Sequence, residues 1–382
     1  MKSLRILVTG ATGYVGSRLV GALLDEGHAV TVAGRDLEKV AGFGWFDRVT
    51  PVVLDASDPD SAASAFAVAG PIDVVYYLVH GIGQPGFRES DNRSAADVAT
   101  AARDAGVARI VYLGGFVPEA DDLSEHLTSR AEVAESLTVD NGPEVVWLGA
   151  AIIIGSGSTS FEMLRYVGDR FPVIPKPRWM DNPIDPISIR DVLYYLVAAA
   201  DPDRVRAGAY DIAGPETTSY GGLITTYSDI ARTPHAGVPV RGIDTAVFSK
   251  VSGLVLPVPG GLAADLVASL DHPMVASSQQ LRGVVPDPPG GLTTVENAMK
   301  RSLTGGRPRP VDALADPHHL ADTDAVWAGG DSLRIRRVVA AVTPAFARPA
   351  LGLLCVVPKP LAGAIRTGLD VVVGLLPKAD PA

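Results

Sequence analysis

An α/β fold built on a doubly wound parallel sheet is what this sequence predicts, and three observations predict it. Short β-branched apolar runs alternate with segments of helical periodicity five times over residues 5–113, as successive βαβ units do. The runs are apolar almost throughout, as strands covered by helices on both faces are. The first of them, Arg5–Val8, passes directly into Gly10, Gly13 and Gly16, after which Val15, Leu19, Val20, Leu23 and Leu24 fall at helical spacing.

Strand, glycine turn and helix in that order are the context a dinucleotide-binding fingerprint requires. The glycines let the backbone turn tightly and approach a pyrophosphate. The helix N-terminus then faces the anion with unpaired N–H groups. The expectation is a Rossmann-type domain that holds a nicotinamide dinucleotide.

The remaining elements follow in order. Gly27-His28 turns the chain into a second buried strand, Ala29–Ala33, which ends in Gly34-Arg35-Asp36. In this fold the end of the second strand meets the adenosine ribose, where an acidic residue serves a 2′-hydroxyl and an Arg suits a 2′-phosphate. Arg35 is placed for the phosphate, so NADP is expected over NAD, although Asp36 could serve a ribose hydroxyl instead. Thr50–Leu54 reads as the third strand, ending at Asp55, whose carboxylate could reach the adenine amino group. Ser57 and Asp58 open the next helix. Asp73–Val79 is the fourth strand, with His80 at its carboxyl end. Asn92–Ala105 is an Ala-rich helix ended by Gly106, and Arg109–Leu113 is the fifth strand. The positions expected to meet the cofactor are Gly10, Thr12, Gly13, Tyr14, Val15, Gly16, Arg35, Asp55, Ala56, Leu78, Val79, His80, Gly114 and Arg130.

Composition sets the outer bounds. The 382 residues carry 33 Lys and Arg against 43 Asp and Glu, a net charge of −10. That argues against a nucleic-acid partner, which needs a basic face. The single cysteine, Cys355, excludes an intramolecular disulfide and a cysteine-based zinc site, which suits a cytoplasmic setting. No metal site is expected. Nor is a secretory leader expected, because Lys2 and Arg5 lead directly into strand and fingerprint. No uninterrupted apolar run reaches the roughly 18 residues of a spanning helix.

TGATGYVG (9–16), AGRD (33–36) and GVARIVYLGG (106–115) resemble the atypical, extended branch of the short-chain dehydrogenase/reductase superfamily. The resemblance continues through 145–166, 183–197 and 208–224. SEHLTSRAEV (124–133), FEMLRY and VLPVPGGLAADLV are similar to an NmrA-like NAD(P)-binding subgroup, and the likeness runs to about residue 304. It implies an NADP-dependent oxidoreductase or epimerase acting on a small carbonyl or hydroxyl compound. Working enzymes of that superfamily use a Tyr and a Lys four residues later, with a Ser or Thr at the end of the fifth strand. Here that strand ends in Gly114-Gly115, and the helix pair is His126 and Arg130, which share a face at i, i+4. Arg cannot shuttle a proton near neutral pH, whereas His can. Two readings follow. Either His126 replaces the acid/base and Arg130 orients the cofactor, or the pair only binds nucleotide and the protein is a non-catalytic sensor or assembly factor. Ser156, Ser158, Glu162 and Tyr166 lie in the segment expected to flank the nicotinamide.

The second half is less regular. Val145–Ile154 reads as a sixth strand, a proline-punctuated passage with Arg178, Trp179 and Met180 as the substrate side of the cleft, Asp185–Ala200 as a helix, and Tyr210–Ile212 as a short strand. The expected organisation is a Rossmann core over about 1–155, a smaller substrate-side lobe over about 156–304, a linker over 305–330, and an apolar, basic helical tail over 331–382. His318 and His319 fall in that linker, without the further ligands a metal would need. Residues 252–271 and 351–370 share a Val-Pro pair and a terminal Leu-Asp, which suggests a repeated helical hairpin. The tail could cover the core, meet a partner protein or lie on an anionic membrane surface.

Overall fold

The computed structural model describes residues 3–81, 84, 86–117, 125–233, 235–240, 256–277 and 280–342. Its frame is a parallel sheet of β1 (Arg5–Thr9), β2 (Ala29–Gly34), β3 (Thr50–Val53), β4 (Val74–Tyr77), β5 (Arg109–Gly115) and β6 (Glu144–Ala150), with Gly208–Asp211 added beyond β6. The strand order is β3-β2-β1-β4-β5-β6 and then the edge strand. The order reverses between β1 and β4, which opens a crevice at the carboxyl ends of those strands.

Alternation within each strand divides the interior into two cores. Ile6 and Val8 face α1 (Tyr14–Asp25) and α7 (Ile189–Ala199). Leu7 faces α3 (Pro59–Ala69), α4 (Phe87–Asp104) and α5 (Glu125–Ser136). Leu19, Val20 and Leu23 of α1 are fully buried, each contributing about 1.5–3 kcal/mol through the hydrophobic effect. A third core holds the smaller lobe, where Phe161 and Leu164 of α6 (Thr159–Arg170) meet Leu223 and Tyr227 of α8 (Tyr220–Ala231) and Met299 of helix Val295–Thr304.

Three boundaries differ from the sequence reading. The expected sixth strand is two strands. β6 stops at Ala150, and Ile153–Ile154 leaves the sheet to pair with Ile187–Ser188. An apolar run buried on all sides carries no periodicity that marks such a break. The helix expected from Asn92 begins five residues earlier at Phe87, because its first turns are polar and only Gly86, at φ +68°, marks the start. The helix expected from Asp185 begins at Ile189, capped by Ser188, whose Oγ accepts from the Asp191 N–H.

The passage 305–330 is packed into the molecule and does not behave as a linker. Arg18 of α1 and Asp324 form a bidentate ion pair at 2.9 and 2.7 Å, with side chains 2% and 3% exposed. The same guanidinium donates to the carbonyls of Pro317, His319, Ser156 and Tyr14. The His318 ring, fully buried, sits between Asp316 at 2.5 Å and the Ser188 hydroxyl at 3.0 Å. Burial pushes the Asp316 carboxyl up, but hydrogen bonds from the ring and backbone of His318 outweigh it and hold the carboxyl below its usual range. Ser188, His318 and Asp316 are spaced as in a hydrolytic triad. Ser188 is 1% exposed and caps α7, so the set acts as a clamp. Proline and glycine composition suggested a linker, but buried side-chain pairing decides the path.

The helix Gly330–Val342 docks on α6 through Asp331, which accepts both Arg170 Nε at 2.7 Å and Nη2 at 2.6 Å. The rest of the expected tail, residues 343–382, lies outside the described residues, as do Cys355 and the second copy of the suggested repeat. Among the described residues no helix is long and apolar enough to cross a membrane.

Candidate dinucleotide site

The loop between β1 and α1 builds the floor of the crevice, and its three glycines do different things. Gly10 has φ +67°, and a Cβ there would stand 2.5 Å from the Leu78 carbonyl oxygen. A Cβ on Gly16 would stand 2.3 Å from the Gly10 carbonyl oxygen. Both glycines are therefore needed for the loop to close against itself and the end of β4. Gly13 is different: its φ of −82° suits any residue, and a Cβ there would meet only the Gly10 oxygen, at 3.2 Å. Gly13 lines the cleft, so the side chain it lacks is room left in the cleft.

Gly13 also heads α1, which has no side-chain cap and no acidic residue in its first turn. By contrast Asp36, Asp58 and Ser188 cap α2 (Leu37–Ala41), α3 and α7 with their side chains. The positive end of the α1 dipole is thus presented to the cleft. An anion on this floor has both space and complementary charge, and the diphosphate of a dinucleotide fits it.

The cleft has a volume of about 250 Å³. Of the positions expected from sequence, Gly10, Gly13, Tyr14, Val15, Gly16, Leu78, His80, Gly114 and Arg130 all form part of its wall. Thr12, Arg35, Asp55, Ala56 and Val79 are not on that wall. Ala56 is buried beside Ala62 and Phe66, and Val79 packs against the same core. Arg35 is exposed at the end of β2. Asp55 accepts from the backbone and hydroxyl of Ser57 at 3.0 and 2.7 Å. Those bonds, with a smaller contribution from the Arg35 charge, hold its carboxyl below the usual range. Asp36 accepts from the Glu38 and Lys39 N–H groups, so its carboxylate is already engaged in capping.

His80 and Arg130 face the same cleft. The His80 residue is open to solvent at the mouth, yet protein atoms crowd the ring on its other sides. That desolvation, and then the Arg130 charge, pushes its pKa down to about 3, so the ring is neutral at ordinary pH. Arg130 is anchored through its backbone carbonyl, which accepts from the Tyr112 hydroxyl at 3.4 Å. At Gly114 a Cβ would fall 2.6 Å from Trp147 Nε1 and 2.9 Å from the Tyr112 ring. The hydroxyl residue that the superfamily places at this strand end has no room unless Trp147 moves. The backbone of His126 lies in α5, and its side chain lies outside the described residues.

Of the four residues expected near the nicotinamide, only Ser158 reaches the wall, with its Oγ donating to the Ile153 carbonyl at 2.7 Å. Ser156 is 2% exposed, and Glu162, fully buried, accepts from the backbone N–H groups of Gly157 and Gly329. Tyr166 donates to the Trp327 carbonyl. All three hold the packed 305–330 passage and α6 together. Helical spacing alone does not tell the two faces of α6 apart when both are buried.

A second cavity of about 150 Å³ adjoins the cleft and shares Gly115, Ala150, Ala151, Ser160 and Leu266 with it. Much of its wall comes from α6, α8, the turn Arg178–Asp181 and helix Gly260–Ala268, and Leu127 of α5, Ile184 and Leu270 also line it. Sequence reasoning missed Ala150, Ala151, Thr159, Ser160, Leu262 and Leu266. The small residues after β6 and the hydroxyl cluster opening α6 were the available signal.

A glycine cradle at the reversal point of a parallel sheet, under an uncapped helix, defines a dinucleotide-binding α/β protein. Residues 10–138 match the family described as NAD(P)H-binding. The chain is 26% identical to a (4-alkanoyl-5-oxo-2,5-dihydrofuran-3-yl)methyl phosphate reductase of Streptomyces griseus, covering 70% of this chain and 86% of that one. Among solved structures it resembles a nucleoside-diphosphate-sugar epimerase of Staphylococcus aureus, with a TM-score of 0.61 and 18% identity, over 78% of this chain and all of that one. It also resembles the Citrobacter triphenylmethane reductase complexed with NADP(H), at TM-score 0.57 and 21% identity, over 78% of this chain and 99% of that one. Over residues 10–138 the chain carries an NAD(P)H-binding domain, set in a Rossmann-type α/β fold.

Proposed function

We propose that this chain is an NADP(H)-dependent oxidoreductase that reduces a carbonyl compound held in the cavity beside the cofactor cleft. The observation that carries this reading is the common wall of the two cavities, Gly115, Ala150, Ala151, Ser160 and Leu266, made mostly of small residues. Such a wall lets a substrate group approach whatever occupies the cleft. The reductase named in Streptomyces griseus supports reduction over epimerisation.

In this reading Gly13 and the α1 N-terminus receive the diphosphate, and Arg35 grips the 2′-phosphate because Asp36 is spent on its cap. Tyr14, Val15, Leu78 and Gly114 shape the wall, and Arg130 holds the ribose nearest the nicotinamide. When bound, the dihydronicotinamide supplies a hydride to the substrate carbon. A neutral His80 is a weak acid at ordinary pH, so the proton comes from water at the cleft mouth, unless His126 serves as donor. Titrating the full-length protein with NADPH and NADH, wild type against Arg35→Ala, tests the cofactor assignment. Tighter NADPH binding by the wild type, lost in the variant, is expected. Binding of neither nucleotide overturns it.

A second reading has its own observation. The superfamily's hydroxyl residue and lysine are replaced by Gly114, which has no room for a side chain, and Arg130. A non-catalytic NADP(H)-binding sensor would show tight binding with no NADPH oxidation across a panel of carbonyl compounds.

A further inference from the structure

We infer that the second cavity takes an uncharged, largely hydrocarbon substrate, an aromatic ring or alkyl chain with one reducible carbonyl group, and not a phosphorylated or sugar substrate. The inference rests on the oxidoreductase reading above and names the substrate class of the same site.

Among the described residues that line this cavity none carries a charge. Its wall is side chains such as Met163, Val167, Trp179, Ile224 and Leu270, contributed by four separate parts of the lobe. The charged and imidazole groups of the site, Arg130 and His80, stand on the cofactor cleft instead. A phosphate entering the second cavity would shed its water with no cation to replace it, which burial of an ion does not tolerate. A sugar would bring several hydroxyls to a wall whose own side-chain hydroxyls belong to Ser160 and Tyr220.

The position of those two groups fits a single polar handle. Ser160 stands on the shared wall, where a carbonyl would meet the cleft, and Tyr220 lies in the apolar part. Burial pushes the Tyr220 phenol well above its usual range, so it stays a neutral donor. Mostly apolar walls with a few placed polar groups are the usual build of a site for a small apolar ligand. A cavity of about 150 Å³ accommodates one benzene-sized ring, and the open junction leaves room for its substituents.

The test uses full-length protein saturated with NADP⁺, which prevents turnover, and calorimetric titration with 2-acetylnaphthalene and with UDP-glucose. Expected is one-to-one binding of 2-acetylnaphthalene, not displaced by UDP-glucose, and weakened at least tenfold by Met163→Lys. Val167→Phe, which fills the cavity without charge, should weaken it as well and covers the case in which the lysine variant does not fold. NADP⁺ affinity should stay within about twofold in both variants. Failure of NADP⁺ to bind the wild type overturns the oxidoreductase reading itself. If NADP⁺ binds, this inference alone is overturned by preferential binding of UDP-glucose, by absence of 2-acetylnaphthalene binding, or by binding indifferent to a folded variant.

Discussion

Replacing Gly13 by valine should separate cofactor binding from folding, and replacing Gly10 by alanine should do the reverse. At Gly13 the backbone is already in a region open to any residue, and the new Cβ meets only the Gly10 oxygen at 3.2 Å. The expected cost is about 1 kcal/mol, that of a poorer residue at the head of a helix. The two methyl groups, however, enter the space where the diphosphate is proposed to lie. NADPH affinity should fall at least a hundredfold, roughly 2.8 kcal/mol at 1.4 kcal/mol per decade. At Gly10 the left-handed backbone alone costs alanine about 1–2 kcal/mol, and the 2.5 Å approach to the Leu78 oxygen adds to it by displacing the end of β4. The assay is thermal unfolding of both full-length variants with and without NADPH, paired with fluorescence titration. At a hundredfold excess over the wild-type Kd the cofactor should stabilise the wild type by about 2.7 kcal/mol, and Gly13→Val by no more than about 0.4 kcal/mol. A folded Gly13→Val that binds NADPH within threefold of wild type refutes the reading of Gly13 as ligand space.

Other outcomes follow from the same geometry. Asp324→Ala leaves Arg18 charged and unpaired in the interior and should cost about 3–5 kcal/mol in denaturant unfolding; Arg18→Met with Asp324→Leu should recover much of the loss, and a single-variant cost under about 1 kcal/mol refutes the buried clamp. His80, with its folded pKa lowered below the ordinary histidine value, binds its proton less readily in the folded than in the unfolded chain. Its contribution to stability therefore falls as pH drops from about 6.5 toward 3. NMR titration should show the ring neutral at pH 5, and Arg130→Gln should raise the midpoint; a midpoint near 6.5 in the wild type contradicts this. Asp316 works in the same sense by the same rule, in a lower pH window. Its depressed carboxyl lends stability above the unfolded carboxylate pKa and loses it as pH falls further, so Asp316→Asn should flatten the acid limb of the stability curve.

What the sequence determined by itself is the frame. β-branched runs at βαβ spacing are read correctly as β1 to β5 because each must bury both faces, and the glycine pattern marks the floor of the cleft because only those backbone positions permit the turn. What only the tertiary structure decided are pairings between distant segments. Arg18 meets Asp324 and Ser188 meets His318, so a proline- and glycine-rich passage that reads as a linker becomes a buried clamp. Likewise Glu162 and Tyr166 turn away from the cleft because the inner face of α6 is claimed by residues more than 160 positions later. The apolar cavity has no local signature, since its walls come from many separate segments, each of which reads as ordinary core. Periodicity reports which residues avoid water; it does not report which of them face a neighbouring side chain and which face a space.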